Sequence, residues 1–272
     1  MNRDTRVVIH CYEGDREWVR ELLPHHARHE CPITLLSPED SRVEIPGVDC
    51  RFGGRRQSAG QLSLDRQREH MRMLLDYPEN FFLMNDADSI CLSSILPHYL
   101  YAEPDVLWSN LVLNPIPEQQ KGYAPGFPRL ALQPPYFMSR STIERLLAVA
   151  EGIVVNPVLP YIDHYMVQLA VKARIVCKGF PDGLSAAICT HPGFMELAQA
   201  DIRFKGRIFI HSVKGARYLQ PLLDARREWL ADFRRAGDHT PLANTDTTAN
   251  MRPVELLTAH WSGDKLEYRR PR

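Results

Sequence analysis

Apolar runs and helical periods alternate along most of this chain. Runs at 7–12, 33–36 and 106–112 are rich in β-forming residues and poor in charge, which is typical of buried strands. Over 64–75, by contrast, apolar residues recur broadly on one helical face, so this segment is predicted to be a helix. The alternation predicts one α/β domain, with a mostly parallel central sheet flanked by helices.

Capping and turn signals place further elements. Asp15 is predicted to cap a first helix that Pro24 ends or kinks, and Ser141 is predicted to open a helix as the first residue of a capping box. Strands are expected at 136–138, 174–177 and 207–211, with a short helix starting near Asp163. A last amphipathic helix, 219–233, turns leucines inward and arginines such as Arg226 outward.

Two segments lack such periods. Residues 114–135 are rich in proline and glycine, which predicts a long binding loop or lid. Residues 236–253 are polar with few large apolar side chains. We therefore assign 1–235 to one compact domain and 236–272 to a polar linker and C-terminal tail, which is expected to act as a lid.

Composition leaves the partner undecided. The 272 residues carry 33 Lys+Arg and 33 Asp+Glu, so no overall field favours nucleic acid or an anionic membrane. Six scattered cysteines without a Cys-x-x-Cys pair predict reduced thiols, and no apolar run reaches membrane-spanning length. We expect a soluble cytoplasmic protein without a transmembrane segment.

The candidate chemistry starts at the apolar run 81–84, which leads into Asp86 and Asp88. Open parallel sheets bind ligands beyond the carboxyl ends of their strands. Carboxylates at positions i and i+2 of an extended chain project to the same side and repel each other unless a cation or a proton lies between them. The pair therefore predicts a metal site.

Two later segments offer partners for this pair. Asp163 begins a predicted helix, and His211 ends a predicted strand with Lys214 three residues beyond it. Two carboxylates, an imidazole and diphosphate oxygens suit a hard divalent cation, and Lys214 would neutralise a phosphate. Simpler interpretations stay open: Asp163 as a helix N-cap, and His211 as a hydrogen-bonded structural residue.

The order of these features resembles that of GT-A type glycosyltransferases, in which a strand ends in a DxD motif, a strand and helix follow, an acidic residue starts a later helix, and a histidine follows the last strand. Here those positions are Asp86-Ala87-Asp88, 136–147, Asp163 and His211. The resemblance covers about residues 7–235. It implies a GT-A-like, Rossmann-like catalytic domain.

The resemblance also implies roles. Asp88 would ligate Mn²⁺ or Mg²⁺, Asp86 would contact the metal or the ribose, and His211 would complete the coordination. Lys214 would meet the diphosphate. Asp163 would lie near the acceptor hydroxyl, as general base if the enzyme inverts the anomeric centre.

The donor expected from this resemblance is a nucleotide sugar such as a UDP-sugar, and we also assign Tyr12 and Arg66 to donor binding. The default acceptor is a saccharide or lipid-linked glycan, with a hydroxylated DNA base as a second class. The predicted activity is therefore metal-dependent transfer of a hexose-like sugar from a nucleotide-diphosphate sugar to a hydroxyl group.

Three alternatives compete with parts of this interpretation. Asp86 and Asp88 after an apolar strand also fit a haloacid-dehalogenase-like phosphohydrolase. The arginine clusters fit a non-catalytic module that binds nucleic acid. Within the tail, His260 and Lys265 rival His211 and Lys214, although His211 is favoured because a strand of the compact domain would hold it in place.

Overall fold

A computed structural model of the chain describes residues 4–27, 30–57, 60–92, 105–113, 130–153, 161–180, 185–187, 196, 199–200, 202, 209–211, 216–235, 258–262 and 265–269. These residues form an α/β domain built on a nine-stranded sheet, with a second, three-stranded sheet beside it. The predicted fold class is therefore confirmed.

One half of the large sheet is entirely parallel. It consists of β1 (Thr5–His10), β2 (Ile33–Ser37), β3 (Asp49–Phe52) and β4 (Phe81–Asp86), in the order β3-β2-β1-β4. All four strands consequently end at the same edge. In the β1–β4 register His10 lies opposite Asp86, so the first strand and the Asp-Ala-Asp strand finish side by side.

The other half is mixed. It contains β6 (Val106–Leu113), β7 (Leu130–Ser139), β8 (Val176–Gly179), β11 (Thr258–Ser262) and β12 (Lys265–Arg269). Here β7 and β11 run antiparallel to their neighbours, and the remaining strands of the large sheet share one direction. The small sheet has the order β5 (Ile90–Cys91), β10 (Phe209–His211), β9 (Ser185–Ala187).

Helices cover both faces of the large sheet. One face packs against α1 (Arg16–Ala27) and α5 (Leu219–Arg235), and the other packs against α2 (Gln61–Leu74), α3 (Arg140–Ala150) and α4 (Ile162–Ala173). The strand alternation explains the two cores: Val7 and Ile9 point into the first, whereas Val8 points into the second. Among the described residues, no helix combines the length and apolar character that crossing a membrane requires.

Several local predictions were wrong. Pro24 does not end α1, which continues to Ala27, because Leu22 and His26 are buried on both sides of the proline and tertiary packing outweighs the lost backbone hydrogen bond; the predicted kink stays a prediction. The N-cap of α3 is Ser139 rather than Ser141; its hydroxyl accepts a hydrogen bond from the Thr142 N–H at 3.1 Å.

The exposure of two arginines and the extent of two strands also differ from the predictions. Arg226, predicted to point outward, is only 4% exposed, and Arg66, assigned to donor binding, is only 8% exposed. Strand β3 was not among the predicted strands, and residues 130–135 belong to β7 rather than to the long loop, whose residues 114–129 lie outside the described part. A sheet partner, rather than local propensity, stabilises both strands.

The tail contributes strands to the domain. β11 joins the sheet edge where Thr258 pairs with Lys178 of β8, and β12 pairs with β11. Residues 236–257, the predicted linker, lie outside the described part. The boundary at 235 stays a prediction.

A buried polar network fastens the amino-terminal edge of the parallel strands. The Arg6 guanidinium donates to both carboxylate oxygens of Glu79 at 3.0 and 3.1 Å and to the Thr34 hydroxyl at 2.8 Å. It also lies 3.8 Å from the centre of the Tyr77 ring. This side chain therefore links β1, β2 and the segment before β4 in one set of satisfied hydrogen bonds.

We expect Arg6→Met to lower the free energy of unfolding by about 3 kcal/mol, because it leaves the buried Glu79 carboxylate without its cation. Urea titration monitored by circular dichroism measures this change. Arg20→Met, which removes an exposed pair with Glu17, is the matched control and should leave the unfolding midpoint nearly unchanged. Equal effects of the two substitutions would contradict a stabilising role for the Arg6 network.

Candidate active site

The two central aspartates lie in a tight turn at the end of β4. Asp86 is the last residue of the strand, and the Ser89 N–H donates to the Asp86 carbonyl at 2.9 Å to close the turn. Asp88 therefore lies beyond the extended segment. The pair is brought together by this turn, and the i, i+2 geometry of an extended chain does not apply.

Ala87, between the aspartates, is fixed through both of its backbone polar groups. Its N–H donates to the His10 carbonyl at 2.8 Å, and its carbonyl accepts from the Trp18 indole N–H at 2.6 Å. Trp18 is only 9% exposed and belongs to the core beneath α1. The positions of both carboxylates are thus set by β1 and α1.

His211 reaches the aspartates through the small sheet. β10 pairs antiparallel with β5, in a register that aligns Ile210 with Ile90, so the next residue pair is His211 and Ser89. The Ser89 hydroxyl lies 2.8 Å from His211 Nδ1, which in turn is 3.6 Å from Asp88 Oδ1. One ligand atom each from Asp86, Asp88 and His211 lies within 4.8 Å of the others.

Asp163 joins this cluster from the opposite side. It lies in the first turn of α4, whose N-cap is Tyr161, so the interpretation of Asp163 as the N-cap is wrong. Burial raises the pKa of the Asp163 carboxyl to about 7; hydrogen bonds from Gln133 and Tyr136 oppose this rise, and the negative charge of Asp88 adds to it. Three carboxyl groups thus converge on one region.

Tyr136 contributes to the perturbed titration of Asp163. Its hydroxyl donates to the Leu132 carbonyl at 2.6 Å and also neighbours the Asp163 carboxyl. A hydroxyl has a single proton, and the carbonyl can only accept it. The Leu132 carbonyl and the Asp163 carboxylate therefore share this proton, and the hydrogen bond to Asp163 lowers the pKa of that carboxyl against the larger effect of burial.

A cavity of about 470 Å³ opens beside the aspartates. It extends from the Asp-Ala-Asp turn across the end of β1 to the first half of α2. Its polar and aromatic lining includes His10, Tyr12, Ser63, Arg66, Gln67, His70, Asp86, Asp88 and Tyr136. The predicted donor residues Tyr12 and Arg66 therefore line the same cavity as the carboxylate pair.

Arg66 has a structural role as well as a place in the cavity wall. Its guanidinium donates to the backbone carbonyls of Arg55 and Gln57, at 3.3 and 2.8 Å, which explains its burial on α2. It lies 5.4 Å from the centre of the Tyr12 ring, with Arg56 at 5.2 Å from the same ring. Tyr12 is thus held in an electropositive corner of the cavity.

Two further residues predicted from the sequence, Lys214 and His260, are not brought to the site by the described part of the structure. Lys214 lies outside the described residues. His260 lies in β11, opposite Glu267 of β12. The ligand and catalytic roles assigned from the sequence to Tyr12, Arg66, Asp86, Asp88, Asp163, His211 and Lys214 stay predictions.

Sequence reasoning missed several side chains of the site. Trp18 was given no role and Gln133 was placed in a loop, whereas Trp18 orients the turn and Gln133 hydrogen-bonds Asp163. His10 and Gln67 line the cavity although no motif contains them. The only local signal was the polar His10 at the end of an otherwise apolar strand.

Comparison with known proteins leaves the family open. No family model and no curated protein matches the chain. Among solved structures, a glycosyltransferase involved in glycosylation of the major capsid of PBCV-1 is 11% identical over 84% of this chain and 98% of its own, with a TM-score of 0.43. A candidate nucleotide-diphospho-sugar transferase from Desulfovibrio desulfuricans G20 is 12% identical over 66% of this chain and 80% of its own, with a TM-score of 0.39.

Likenesses with TM-scores of 0.43 and 0.39 carry no argument about this chain.

The pKa of Asp163 predicts a specific pH dependence of stability. Its carboxyl titrates near 7 in the folded protein and near 3.8 when unfolded, so the folded state binds the proton more tightly. The contribution of Asp163 to the stability of the metal-free protein should therefore fall as pH rises from about 4 to about 7 and stay at its lower level above that. The buried His10 and His70, whose pKa values are lowered mainly by burial, contribute in the opposite sense, so the Asp163 contribution is measured by difference from a variant.

Asp163→Asn removes this titration. Without divalent cations at pH 8, we expect the free energy of unfolding of the variant to exceed that of the wild type by about 3 kcal/mol, so the variant should unfold at a higher temperature. At pH 4.5 the two proteins should unfold at nearly the same temperature. Thermal unfolding in EDTA measures the difference, with the exposed Asp76→Asn as the control substitution. A difference that is independent of pH would show that Asp163 titrates normally.

Proposed function

We propose that the protein is a metal-dependent glycosyltransferase that moves a sugar from a nucleoside-diphosphate sugar to an acceptor hydroxyl group. One observation carries the proposal: Asp86, Asp88 and His211 cluster within 4.8 Å at the carboxyl edge of the sheet, and the two aspartates line a cavity large enough for a nucleotide. The acceptor class, whether glycan or DNA base, and the cytoplasmic location stay predictions.

The candidate ligand atoms of Asp86, Asp88 and His211 fit a divalent cation. Two carboxylates and one imidazole face one another within a partly buried site. The negative charge of Asp88 also adds to the burial that raises the pKa of the nearby Asp163 carboxyl, so a cation bound at Asp88 would lower that pKa. Carboxylate oxygens favour Mg²⁺ and Mn²⁺, and an added imidazole suits Mn²⁺.

Each residue then has a distinct task. Asp86, Asp88 and His211 would hold the cation, and the Ser89 hydroxyl at 2.8 Å orients the His211 ring. A bound cation supplies charge neutralisation at the departing diphosphate. Tyr12 provides an aromatic face for the nucleoside, and Lys214, which follows His211 closely in sequence, is assigned to the diphosphate.

Asp163 is the proposed general base for an inverting transfer. A base acts most effectively when its pKa lies near the working pH, and burial brings the pKa of Asp163 to about 7. Gln133 and Tyr136 hydrogen-bond its carboxyl and fix its orientation. The carboxylate can accept the proton of an acceptor hydroxyl that enters beside Asp88.

Hydrolysis assays separate this proposal from its alternatives. With Mn²⁺ and no acceptor, a glycosyltransferase should slowly hydrolyse a nucleotide sugar to the nucleoside diphosphate and the free sugar. A phosphohydrolase should instead release phosphate from a generic phosphate ester. Nucleic-acid binding without either hydrolysis would favour the non-catalytic module.

Asp88→Asn should abolish both turnover and Mn²⁺-dependent binding of nucleoside diphosphate. The metal-free variant should be as stable as the wild type or more stable, because one member of a repelling set loses its charge. Calorimetric titration and thermal unfolding measure the two effects, with Asp76→Asn as the matched control. A folded Asp88→Asn protein that keeps metal-dependent binding would refute the assignment.

Asp163→Ala should lower the turnover rate by about 10²-fold or more while the donor dissociation constant stays unchanged, since a base acts on the acceptor proton. Steady-state kinetics together with donor titration give both quantities. A parallel fall in donor affinity would instead place Asp163 in the donor or metal site.

A further inference from the structure

Ser89, which follows the Asp-Ala-Asp turn, places a hydroxyl group among the candidate metal ligands. Its side chain is fully buried, and its Oγ atom lies 2.8 Å from His211 Nδ1. The same nitrogen is 3.6 Å from Asp88 Oδ1. The Ser89 oxygen is therefore closer to this nitrogen than the Asp88 carboxylate is, and it belongs to the cluster rather than to its surroundings.

The backbone on both sides of the Ser89 hydroxyl is held in place. The Ser89 N–H donates to the Asp86 carbonyl at 2.9 Å and closes the turn, while the next residue, Ile90, pairs with Ile210 of β10. The register of that pairing places His211 opposite Ser89. A cation that enters the cluster therefore cannot push the serine aside, and the hydroxyl stays next to His211 when the cation binds.

The ring nitrogen that Ser89 contacts is the one that faces Asp88. An imidazole nitrogen that binds a cation carries no proton, and its single lone pair points at the cation. That lone pair cannot also accept the Ser89 hydroxyl proton, so a cation bound through Nδ1 ends this hydrogen bond. A residue that only orients a metal-binding histidine instead contacts the ring nitrogen that faces away from the metal.

We propose that Ser89 Oγ is itself a ligand of the divalent cation, in addition to the two aspartates and His211. The inference rests on the proposed function, because the cation is the one that would neutralise the donor diphosphate. Octahedral Mg²⁺ binds its ligands at about 2.1 Å, so neighbouring ligand atoms lie about 3 Å apart. The separation of 2.8 Å between Ser89 Oγ and His211 Nδ1 fits two neighbouring positions of such a shell.

A hydroxyl ligand also suits the charge and the coordination number of the site. Two carboxylates already balance the charge of a divalent cation, so the other protein ligands should be neutral, as an imidazole and a hydroxyl are. Serine and threonine hydroxyls hold Mg²⁺ in P-loop nucleotide hydrolases. With one atom from each aspartate, His211 and Ser89, an octahedral shell keeps two positions for diphosphate oxygens.

The first experiment replaces the hydroxyl oxygen with sulfur. Ser89→Cys nearly preserves the size of the side chain but offers a soft ligand, which favours Cd²⁺ over Mn²⁺. In calorimetric titrations of the full chain with each metal alone, the ratio of Cd²⁺ affinity to Mn²⁺ affinity should rise at least about tenfold over the wild type. Cd²⁺ should also produce a new thiolate-to-metal charge-transfer absorption in the ultraviolet.

Ser41→Cys is the matched control. Ser41 is also buried, and its hydroxyl accepts a hydrogen bond from the Glu13 N–H at 3.0 Å, outside the cluster. This variant adds the same thiol away from the aspartates, so it should keep the wild-type affinity ratio and lack the new absorption. A Ser89→Cys protein that behaves like this control would overturn the inference and leave the proposed function standing.

The second experiment uses Ser89→Ala, which removes the hydroxyl without adding a thiol. If Ser89 is a ligand, a water molecule takes the vacated position, so bound Mn²⁺ should carry one more water than in the wild type. Solvent proton relaxation measures this number, and the Mn²⁺ affinity should fall by about tenfold. An unchanged water number would show that Ser89 only positions His211, however far the affinity falls.

The wild-type protein separates failure of this inference from failure of the proposed function. If it binds no Mn²⁺, either alone or together with UDP, the proposed function fails and this inference fails with it. If it binds Mn²⁺ but the Ser89 variants change neither the metal preference nor the water number, only Ser89 is removed from the set of ligands.

Discussion

The parallel pairing of β1 with β4 is the constraint on which the site depends. It places His10 opposite Asp86, and the hydrogen bond from the Ala87 N–H to the His10 carbonyl extends the pairing one residue into the turn. Trp18 then holds the Ala87 carbonyl from the core of α1. Two mutually repelling carboxylates are thereby kept close together by backbone and indole hydrogen bonds that do not depend on their charge.

The two edges of the parallel sheet contrast in their polar chemistry. At the amino-terminal edge, Arg6, Glu79 and Thr34 satisfy one another within a closed network. At the carboxyl edge, the aspartates converge with Asp163, and the buried Gln67 Nε2 has no hydrogen-bond partner among the described residues. Repulsion between carboxylates and unsatisfied polar groups at this edge lower the stability of the ligand-free protein. A bound cation, or a ligand that forms the missing hydrogen bonds, would restore that stability.

The small sheet explains how a distant segment completes the cluster. Ser89 and His211 are 122 residues apart in sequence but lie 2.8 Å apart, because β10 pairs with the short strand that follows the Asp-Ala-Asp turn. The same turn thus fixes the aspartates on one side and starts β5 on the other. Candidate metal ligands placed by two sheets at one turn have little freedom to move, which favours a preorganised site.

The sequence by itself determined the helices and strands that have a clear hydrophobic periodicity, and the polar residues that follow them. The apolar strand before Asp86 and the helical face of α2 both follow from local spacing, which fixes the face on which each side chain lies. The α/β class followed from the order of these elements. Resemblance in that same order then indicated which polar residues to group.

Only the tertiary structure decided the environment of those residues. It buried Arg66 against loop carbonyls, gave Asp163 its contacts with Gln133 and Tyr136, and brought Trp18 to the Ala87 carbonyl. Each of these contacts joins segments that are distant in sequence, and their formation depends on strand register and on the closing of the core. Local periodicity specifies neither, because it records which face a side chain occupies but not which partner the folded chain places there.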